Sequence, residues 1–315
     1  MNLSVVIPNY NGEKIIGKNL PKVLASVKDY SSGSVEIIIS DDCSSDSSLD
    51  IIQEFIESNK KSSVKIKLFT SLKNKNEGFS SNVNRGVRAA TGEVLILLNT
   101  DVIPSKNFLK PLLKHFENPE VFAVGCMDES LENGKLILRG RGVGKWEKGF
   151  MIHSAGDLEK KDTLWVSGGS GAFRKSIWDK LGGLDTLYNP FYWEDIDLSY
   201  RAKKSGYLTL FEKESVVRHE HDEGVIKEKY KPDNVKKVVY RNQFIFAWKN
   251  SDFGNLIKNI LWFPFHFITS LIGGDYLLLA GFFKALILLP KIIRSRIISH
   301  KQFILTDRQV IQSLE

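Results

Sequence analysis

Short apolar runs alternate with segments of helical spacing over the first hundred residues, and this alternation most constrains the fold. The first run is Leu3 to Pro8 and the last is Val94 to Leu98, each about the length of one buried strand. Between the runs, apolar residues recur at the spacing of a helix, as in residues 13–30. Strands that alternate with helices predict a doubly wound α/β sheet, mostly parallel, with helices on both faces.

Polar residues follow three of these runs at the point where each predicted strand ends. They are Asn9-Tyr10, Asp41-Asp42 and Asn99-Thr100-Asp101. Such residues also favour turns, so one ending of this kind would not indicate a site. The carboxyl ends of parallel strands meet at one edge of a sheet, however, and ligands bind outside that edge. Three polar endings therefore predict a ligand-binding site there.

Two common phosphate-binding motifs do not occur in the sequence. No G-x-G-x-x-G turn follows the first predicted strand, which disfavours a nicotinamide cofactor. The glycine cluster at residues 139–146 lacks the spacing and the Ser or Thr of a P-loop. We expect a flexible loop at this cluster.

Composition and charge limit the compartment and the partners. The chain has 315 residues and only two cysteines, Cys43 and Cys126, which lie far apart and predict a reducing cytosolic compartment. The net charge of +7 predicts an anionic partner: a nucleotide phosphate, an acidic membrane or a nucleic acid. We expect no nucleic-acid partner, because the sequence carries no recognised nucleic-acid-binding motif.

The second half of the chain carries acidic residues and histidines at two informative positions. Glu194, Asp195 and Asp197 lie at the start of a predicted helix, where carboxylates either complement the helix dipole or take part in chemistry. His219 and His221 occupy alternating positions at the end of a predicted strand, in a chain with six histidines. Histidines placed in this way are candidates for metal ligands.

Six segments of the chain carry a resemblance to a known family. In chain order they are SVVIPNYNG, IIISDDCSSD, NEGFSSNVNRGVRAATGEVLILLNTD, SGGSGAFRKSIWDKLGGLD, FYWEDIDLSYRAKKSGY and VVRHEH. Over roughly residues 3–250 they resemble the inverting family 2 glycosyltransferases of the GT-A fold. LNTD with FYWEDIDL is most similar to bacterial rhamnosyltransferase-like enzymes of surface polysaccharide synthesis. The resemblance implies a catalytic domain over residues 1–250, with a Rossmann-like nucleotide-sugar half (1–120) and an acceptor half (121–250).

The resemblance implies a donor site at the predicted sheet edge. The segment NTD stands where the family has its DxD motif, so Asp101 would bind a divalent cation, Mg²⁺ or Mn²⁺, that bridges the diphosphate of a UDP- or dTDP-sugar. His219 or His221 would be a further metal ligand. Asp41 matches the family residue that accepts from the pyrimidine N3–H, and Val83 stands where the family often has a basic residue. The implied nucleotide-binding residues are Pro8, Asn9, Tyr10, Asp41, Asn76, Asn99 and Asp101.

The resemblance also implies the catalytic groups. Asp195 would be the general base that takes the proton of the attacking acceptor hydroxyl, and Glu194 would assist or orient it. Asp197 would cap the helix or pair with a cation, while Gly169 and Trp193 would lie on the acceptor side. The acceptor would be a glycan or a lipid-linked glycan. A single displacement inverts the anomeric centre, so no covalent nucleophile is required.

Three other functions are considered on the residues alone. A catalytically silent sugar-nucleotide-binding scaffold would use the same donor residues. A Rossmann-like phosphohydrolase would use Asp41 or Asp42 as phosphoryl acceptor, although its carboxylate normally follows the first strand. A nucleotidyltransferase would require a glycine-rich basic loop early in the chain.

Residues 251–315 form a predicted helical tail rich in apolar and basic residues. Its apolar stretches are interrupted by Pro264, Gly273, Asp275 and Lys284, and none supplies about 20 apolar residues for a membrane span. We expect interfacial helices on the inner face of the cell membrane, near a lipid-linked acceptor, which makes the protein cytoplasmic and peripheral. The alternatives are a pair of spanning helices, or a cap packed on the catalytic domain or on the partner of a homodimer.

Overall fold

The structure is a computed structural model that describes residues 1–73, 75–132, 134–219 and 230–314. The strands are β1 (Leu3–Asn9), β2 (Val35–Asp41), β3 (Lys65–Thr70), β4 (Val94–Leu98), β5 (Val102–Pro104), β6 (Val121–Glu132), β7 (Lys135–Arg139), β8 (Gly142–Glu147), β9 (Phe150–Ala155), β10 (Ser170–Arg174) and β11 (Leu208–His219). The helices are α1 (Glu13–Val27), α2 (Ser48–Ser58), α3 (Phe79–Ala89), α4 (Leu109–Leu113), α5 (Lys175–Leu181), α6 (Glu194–Lys204), α7 (Pro232–Asn250), α8 (Phe253–Ile272), α9 (Tyr276–Ile287), α10 (Leu289–His300) and α11 (Asp307–Gln312). Two 3₁₀ turns span Lys114–Glu117 and Thr186–Tyr188.

One central sheet organises the molecule, with the strand order β3-β2-β1-β4-β10-β6-β11-β5 and with β7 beside β6. Strands β1 to β4 are parallel, which confirms the doubly wound first half. Strand β10 then inserts antiparallel between β4 and β6, and β11 runs parallel to β6 but antiparallel to β5. The sheet is therefore parallel in its first half and mixed in its second, rather than mostly parallel throughout.

The central strands are buried on both faces, as their unbroken apolar runs predict. Successive side chains of a strand point to opposite faces, so Val5 and Ile7 pack with α1 and α2 on one side of the sheet. Val6 packs with α3, α5 and α6 on the other side. The two layers of helices leave the carboxyl ends of β1, β2 and β4 together at one edge.

A second, two-stranded sheet occupies the position of the predicted flexible loop. Residues 139–146 were expected to form that loop, and this prediction is wrong: β7 ends at Arg139, and Gly142 begins β8. Strand β8 pairs antiparallel with β9 from Gly142 opposite Ala155 to Glu147 opposite Phe150. The pairing partner lies outside the glycine cluster, which is why the local sequence did not indicate a strand.

The C-terminal helices share a hydrophobic cluster with the acceptor half. Ile292, Val310 and Leu314 pack in one cluster with Trp193 and Tyr200. Helix α7 packs against α9 and α10. The alternative of a cap packed on the catalytic domain therefore describes these last helices, whereas α8 exposes many apolar side chains. The division of the chain at residue 250 stays a prediction.

No single helix in the described part of the chain is long and apolar enough to cross a bilayer. The bent pair of α9 and α10, which meet at 70°, satisfies length and composition when both are taken together.

Candidate active site

The turn at Asn99–Asp101 lies between β4 and β5 at the carboxyl edge of the sheet. Its backbone is anchored by the Asn99 N–H, which donates to the carbonyl of Gly169 at 2.9 Å. Strand β11 pairs with β5 so that His219 lies opposite Val102, next to Asp101. His219 Nε2 is 3.2 Å from Asp101 Oδ2. Two residues predicted to bind metal, 118 positions apart in the chain, are therefore neighbours.

Asp128, which sequence reasoning missed, completes this group. Its Oδ2 lies 2.9 Å from Nδ1 of His219 and orients the imidazole with Nε2 toward Asp101. Burial opposes protonation of His219, but the hydrogen bonds with Asp101 and Asp128 outweigh it and raise the His219 pKa to about 9. Asp128 follows the apolar run that ends at Met127, so the signal used for the other strands could have found it.

Asp101 and His219 could supply one carboxylate and one imidazole to a cation. A carboxylate suits Mg²⁺ or Mn²⁺, and an added imidazole favours Mn²⁺. A carboxylate on the second imidazole nitrogen, as Asp128 provides, is the usual support of a metal-bound histidine. In the described residues no group of three or more His, Cys, Asp and Glu side chains could hold an ion alone. His221 lies outside the described residues.

Asp41 forms the buried floor of the predicted nucleotide pocket. Strand register places it beside Asn9, whose Nδ2 donates to Asp41 Oδ2 at 2.7 Å. The hydroxyl and the N–H of Ser44 donate to Oδ2 and Oδ1 at 2.6 and 2.9 Å. Oδ2 thus accepts two of these hydrogen bonds and Oδ1 only one, so Oδ1 keeps an acceptor position that a pyrimidine N3–H could use. That contact stays a prediction.

Asp42 and Arg85 form a second network at the same edge. Asp42 Oδ2 accepts from the backbone N–H groups of Glu77 and Gly78 at 2.9 and 2.8 Å. Arg85 donates to Asp42 at 3.2 Å and to Glu77 at 2.9 Å. Burial raises the pKa of Asp42 despite these hydrogen bonds. Val83, at the position where a basic residue is often found in the family, is buried in the core. Arg85, two residues later on α3, places a guanidinium beside Asp42, which the sequence analysis did not predict.

The remaining predicted donor residues surround these networks. Pro8 is buried in β1 beside Ser40, and Tyr10 is half-buried directly after the strand. Asn76 is exposed in the loop that precedes α3. All three belong to segments that border the carboxyl edge, where the sequence analysis placed them.

The predicted acceptor side lies at the start of α6. Tyr192 and Trp193 both have left-handed backbones, with φ of 69° and 77°, a conformation that costs residues with a Cβ about 1–3 kcal/mol each. Trp193 is buried and packs against His153 and Phe246. Such strain persists only where the surroundings enforce it, and here it directly precedes the acidic pair.

Glu194 and Asp195 differ in their access to solvent. Glu194 is 6% exposed, whereas Asp195 is half-buried. Burial and the neighbouring charge of Asp195 raise the pKa of Glu194 to about 8. Burial also raises the pKa of Asp195, although the N–H groups of Ile196 and Gly168 donate to its carboxylate. At neutral pH this arrangement holds a proton on Glu194 and leaves Asp195 as the accessible carboxylate.

Gly168 and Gly169 separate the donor turn from the acceptor side. The Gly168 N–H lies 3.4 Å from Asp195 Oδ2, and the Gly169 carbonyl holds the Asn99 N–H. A Cβ on Gly169 would lie 2.4 Å from Asn99 Nδ2. The Asn99–Asp101 turn and the expected base therefore contact two adjacent glycines, with no room there for a side chain on Gly169.

Buried polar atoms without a hydrogen-bond partner are concentrated at this site. Seven such side-chain atoms occur in the described part of the chain. Three belong to predicted site residues: Asn9 Oδ1, Asn99 Oδ1 and Glu194 Oε2. Buried polar groups in native proteins are nearly always paired, so these atoms indicate positions for water or ligand.

Asp197 has a structural environment, which confirms one of its two expected roles. It is fully buried and pairs with Arg201 at 2.8 Å and with Lys249 at 2.9 Å. Burial would raise the pKa of Asp197, but the charges of Lys249 and Arg201 lower it. Asp197 thus ties α6 to α7 rather than facing the site.

Comparison with known proteins agrees with this geometry. The sequence profile of Glycosyl transferase family 2 matches residues 4–182. The chain is 24% identical over 227 residues to the O-antigen chain rhamnosyltransferase RfbN of Salmonella typhimurium. The aligned region covers 70% of this chain and 67% of that protein. The S. aureus TarS 1–349 structure in complex with UDP-GlcNAc superposes with a TM-score of 0.58 at 18% identity, covering 99% of this chain and 91% of that chain.

A further solved structure, GalNAc-T7 with UDP, GalNAc and Mn²⁺, superposes with a TM-score of 0.60 at 19% identity. The superposed region covers 79% of this chain and 48% of the GalNAc-T7 chain, so this chain spans about half the length of GalNAc-T7. The shared fold is that of GT-A glycosyltransferases. With more than half of its residues matched by the family profile, the chain belongs to glycosyl transferase family 2, enzymes that act on nucleotide sugars.

Proposed function

We propose that the protein transfers a sugar, with inversion, from a UDP- or dTDP-sugar to a hydroxyl of a glycan or lipid-linked glycan. The observation that carries this proposal is that Asn99, two residues before Asp101, and Asp195 are hydrogen-bonded to the adjacent residues Gly169 and Gly168. A leaving diphosphate and an attacking hydroxyl need groups of different kinds on opposite sides of one sugar. This site has a carboxylate–imidazole pair on one side and an accessible carboxylate on the other.

The acceptor side performs proton transfer. Asp195 is the general base, because it is the accessible member of the acidic pair and accepts only weakly from Gly168, at 3.4 Å. Glu194 stays protonated at neutral pH and does not compete for the acceptor proton. A well-placed base contributes about 10²–10⁴-fold to the rate.

The donor side holds the diphosphate. Asp101 and His219 are the chain's ligands for a divalent cation, Mg²⁺ or Mn²⁺, which when bound would offset the charge that grows on the leaving diphosphate. Mn²⁺ is present in the related GalNAc-T7 structure with UDP. We expect activity to fall in chelator and to return with either ion. Asp101→Ala should abolish the response to metal and weaken donor binding, and equal activity with and without metal would refute this role.

A donor panel tests the transfer itself. The enzyme is incubated with UDP- and dTDP-sugars and candidate acceptors, and release of nucleoside diphosphate is measured together with the anomeric configuration of the product. We expect release with one donor class and an inverted product. A retained configuration would refute the single displacement. Donor binding without release of nucleoside diphosphate would favour the catalytically silent scaffold. Release of inorganic phosphate would favour the phosphohydrolase.

We also propose that the tail binds the anionic inner face of the cell membrane. Helix α8 exposes an apolar surface that includes Phe253, Ile260, Leu261, Ile268, Leu271 and Ile272. Exposed basic residues accompany it on the C-terminal helices: Lys258, Lys284, Lys291, Arg294 and Lys301. The Nζ of Lys148 also lies 4.6 Å from the centre of the Phe265 ring on α8, so a further cation lies beside this apolar surface. Apolar side chains with surrounding cations match a layer of acyl chains beneath anionic headgroups.

Vesicle flotation of the full chain tests this surface. Leu261→Ser with Ile272→Ser removes two side chains that are 72% and 84% exposed, and we expect binding to phosphatidylglycerol vesicles to fall at least about tenfold. Leu72→Ser, at a residue 95% exposed in the donor half, is the matched control. The membrane proposal would be refuted if the wild-type chain did not float with the vesicles. It would also be refuted if the chain formed a homodimer without detergent and the two tail substitutions dissociated that dimer.

A further inference from the structure

Asn242 of α7 binds the loop that leads into the acidic pair. The side chain is fully buried, and its Nδ2 lies 3.1, 2.9 and 2.8 Å from the carbonyl oxygens of Tyr188, Phe191 and Tyr192, so its two hydrogens are shared among three acceptors. One amide thereby holds three carbonyls of a five-residue stretch. Residues 188–193 are called the bridging loop below.

Arg241 acts with Asn242 on the same loop. Its Nη2 donates to the carbonyls of Tyr188 and Asn189 at 3.2 and 2.6 Å. Its Nε also donates to Asn242 Oδ1 at 2.9 Å, and its Nη2, whose two hydrogens are shared among three acceptors, lies 2.7 Å from the same oxygen, which fixes the orientation of the amide. Because the Oδ1 is occupied by the guanidinium, the Nδ2 must face the bridging loop. These two residues form the Arg241–Asn242 clasp.

The bridging loop needs such a restraint at its catalytic end. Tyr192 and Trp193 are consecutive left-handed residues, although both carry bulky side chains. The carbonyl of Tyr192 is one of the three that Asn242 holds. Glu194 and Asp195 follow directly, so the direction in which α6 begins depends on this backbone.

The other end of the bridging loop contacts the donor side. Asn189 Nδ2 donates to the carbonyl of Glu77 and to Ser81 Oγ, both at 2.7 Å, and its Oδ1 accepts from the Ser80 N–H at 3.1 Å. The N–H groups of Glu77 and Gly78 in turn hold Asp42. A single loop thus connects the nucleotide edge to the acidic pair.

We propose that the Arg241–Asn242 clasp is a positioning device for sugar transfer, which aligns the base with the bound donor by holding the bridging loop. This inference rests on the proposed function. It adds two residues that touch neither donor nor acceptor in the sites described above. Displacement of a catalytic group by about 1 Å can cost about a hundredfold in rate.

Asn242→Asp is the decisive variant. The aspartate is nearly the same size and keeps an oxygen for Arg241, but at neutral pH it lacks the N–H donors that hold the loop. We expect kcat to fall roughly tenfold to a hundredfold at a temperature well below the unfolding midpoint. Gln243→Ala, on the neighbouring residue of α7, is the matched control and should leave kcat unchanged.

Two readouts separate positioning from a general loss of stability. Hydrogen exchange of the amides in residues 188–198 should become faster in Asn242→Asp but not in Gln243→Ala. The acid limb of the kcat–pH profile of the residual activity should shift, because a looser loop lets water reach both carboxylates and the introduced aspartate adds a negative charge beside the loop. A variant that is only less stable would lower the unfolding midpoint and leave that limb in place.

The outcomes distinguish this proposal from the proposed function. Unchanged kcat in Asn242→Asp, with an active wild-type enzyme, would overturn the positioning role alone. Unchanged hydrogen exchange in residues 188–198 would overturn the clasp itself. Wild-type enzyme that releases no nucleoside diphosphate from any donor would overturn the transferase function, and the positioning role with it.

Discussion

Two adjacent carboxylates, Glu194 and Asp195, start the same helix but experience different environments. Glu194 is almost fully enclosed and one of its oxygens has no hydrogen-bond partner in the described chain. Asp195 reaches the space beside Gly168. A carboxylate pair separated in this way can hold one proton and use the other member as a base. The assignment of roles thus follows from burial.

Replacement of the proposed base, Asp195, tests this at the level of one residue. Asp195→Asn keeps the size of the side chain but cannot take a proton, so we expect kcat to fall at least about a hundredfold. Donor affinity, measured by calorimetry, should change less than twofold because Asp195 lies on the acceptor side. Asp179→Asn, at an exposed ion pair on α5, is the control. Retention of more than about a tenth of the wild-type rate would contradict the role of Asp195.

Glu194→Gln tests the buried proton through stability. The folded-state pKa of Glu194, about 8, lies above that of an exposed glutamate, so its stabilising contribution is complete below pH 4.5 and is lost as pH rises through 8. The glutamine stays neutral throughout. Urea unfolding should therefore show the variant gaining stability over wild type between pH 5 and pH 9, by up to a few kcal/mol (about 1.4 per unit of pKa difference). A difference that does not change with pH would place the proton elsewhere.

At the scale of elements, close contact between α3 and the sheet sets the shape of the donor edge. Helix α3 carries Arg85 outward toward Asp42 and Gly86 inward toward β1. A Cβ on Gly86 would lie 2.5 Å from Val6 Cγ1 and 3.3 Å from the Cβ of Ser40. Since the strands are rigid and buried, the helix would have to move away from them.

We therefore expect Gly86→Ala to destabilise the fold by about 1–3 kcal/mol, despite the better helix propensity of alanine. Gly254→Ala on α8 is the control, because a Cβ there meets no atom within 4 Å and should be neutral or slightly stabilising. Thermal and urea unfolding give both values. Donor affinity of Gly86→Ala should also fall, because Arg85 moves with the helix, and an unchanged unfolding midpoint would contradict the tight packing.

At the scale of the whole molecule, buried ion pairs join the tail to the catalytic half. Lys204 on α6 is fully buried and pairs with Asp252 and, at 2.9 Å, with Asp307. Tyr200 also donates to Asp307 at 2.7 Å. These charges lie in a region of low dielectric, where removal of one partner leaves the others uncompensated. A chain truncated near residue 252 would therefore lose buried partners as well as its apolar tail.

Lys204→Met removes the shared cation and keeps most of the side-chain volume. We expect a loss of about 3–5 kcal/mol in the free energy of unfolding, because the buried carboxylate of Asp307 and the partly exposed carboxylate of Asp252 lose their shared partner. Lys213→Met, at the exposed pair with Glu159, should cost at most about 1 kcal/mol. Equal effects of the two substitutions would show that the tail does not depend on this cluster.

The sequence by itself determined the parts of this protein that local patterns encode. Runs such as Val94 to Leu98 have the length and the apolar composition of a buried strand, and the polar residues after them indicate the carboxyl edge of the sheet. The acidic pair at the start of α6 was equally visible, because helix starts have a local signature.

Only the tertiary structure decided which of these residues meet. His219 contacts Asp101 and Asp128 because β11 returns between β5 and β6, and Asn242 reaches the bridging loop because α7 packs across the acceptor half. The tail helices likewise divide into a packed part and an exposed part, although their compositions are similar. Such contacts depend on strand register and helix packing over long sequence separations, and local periodicity carries no information about either.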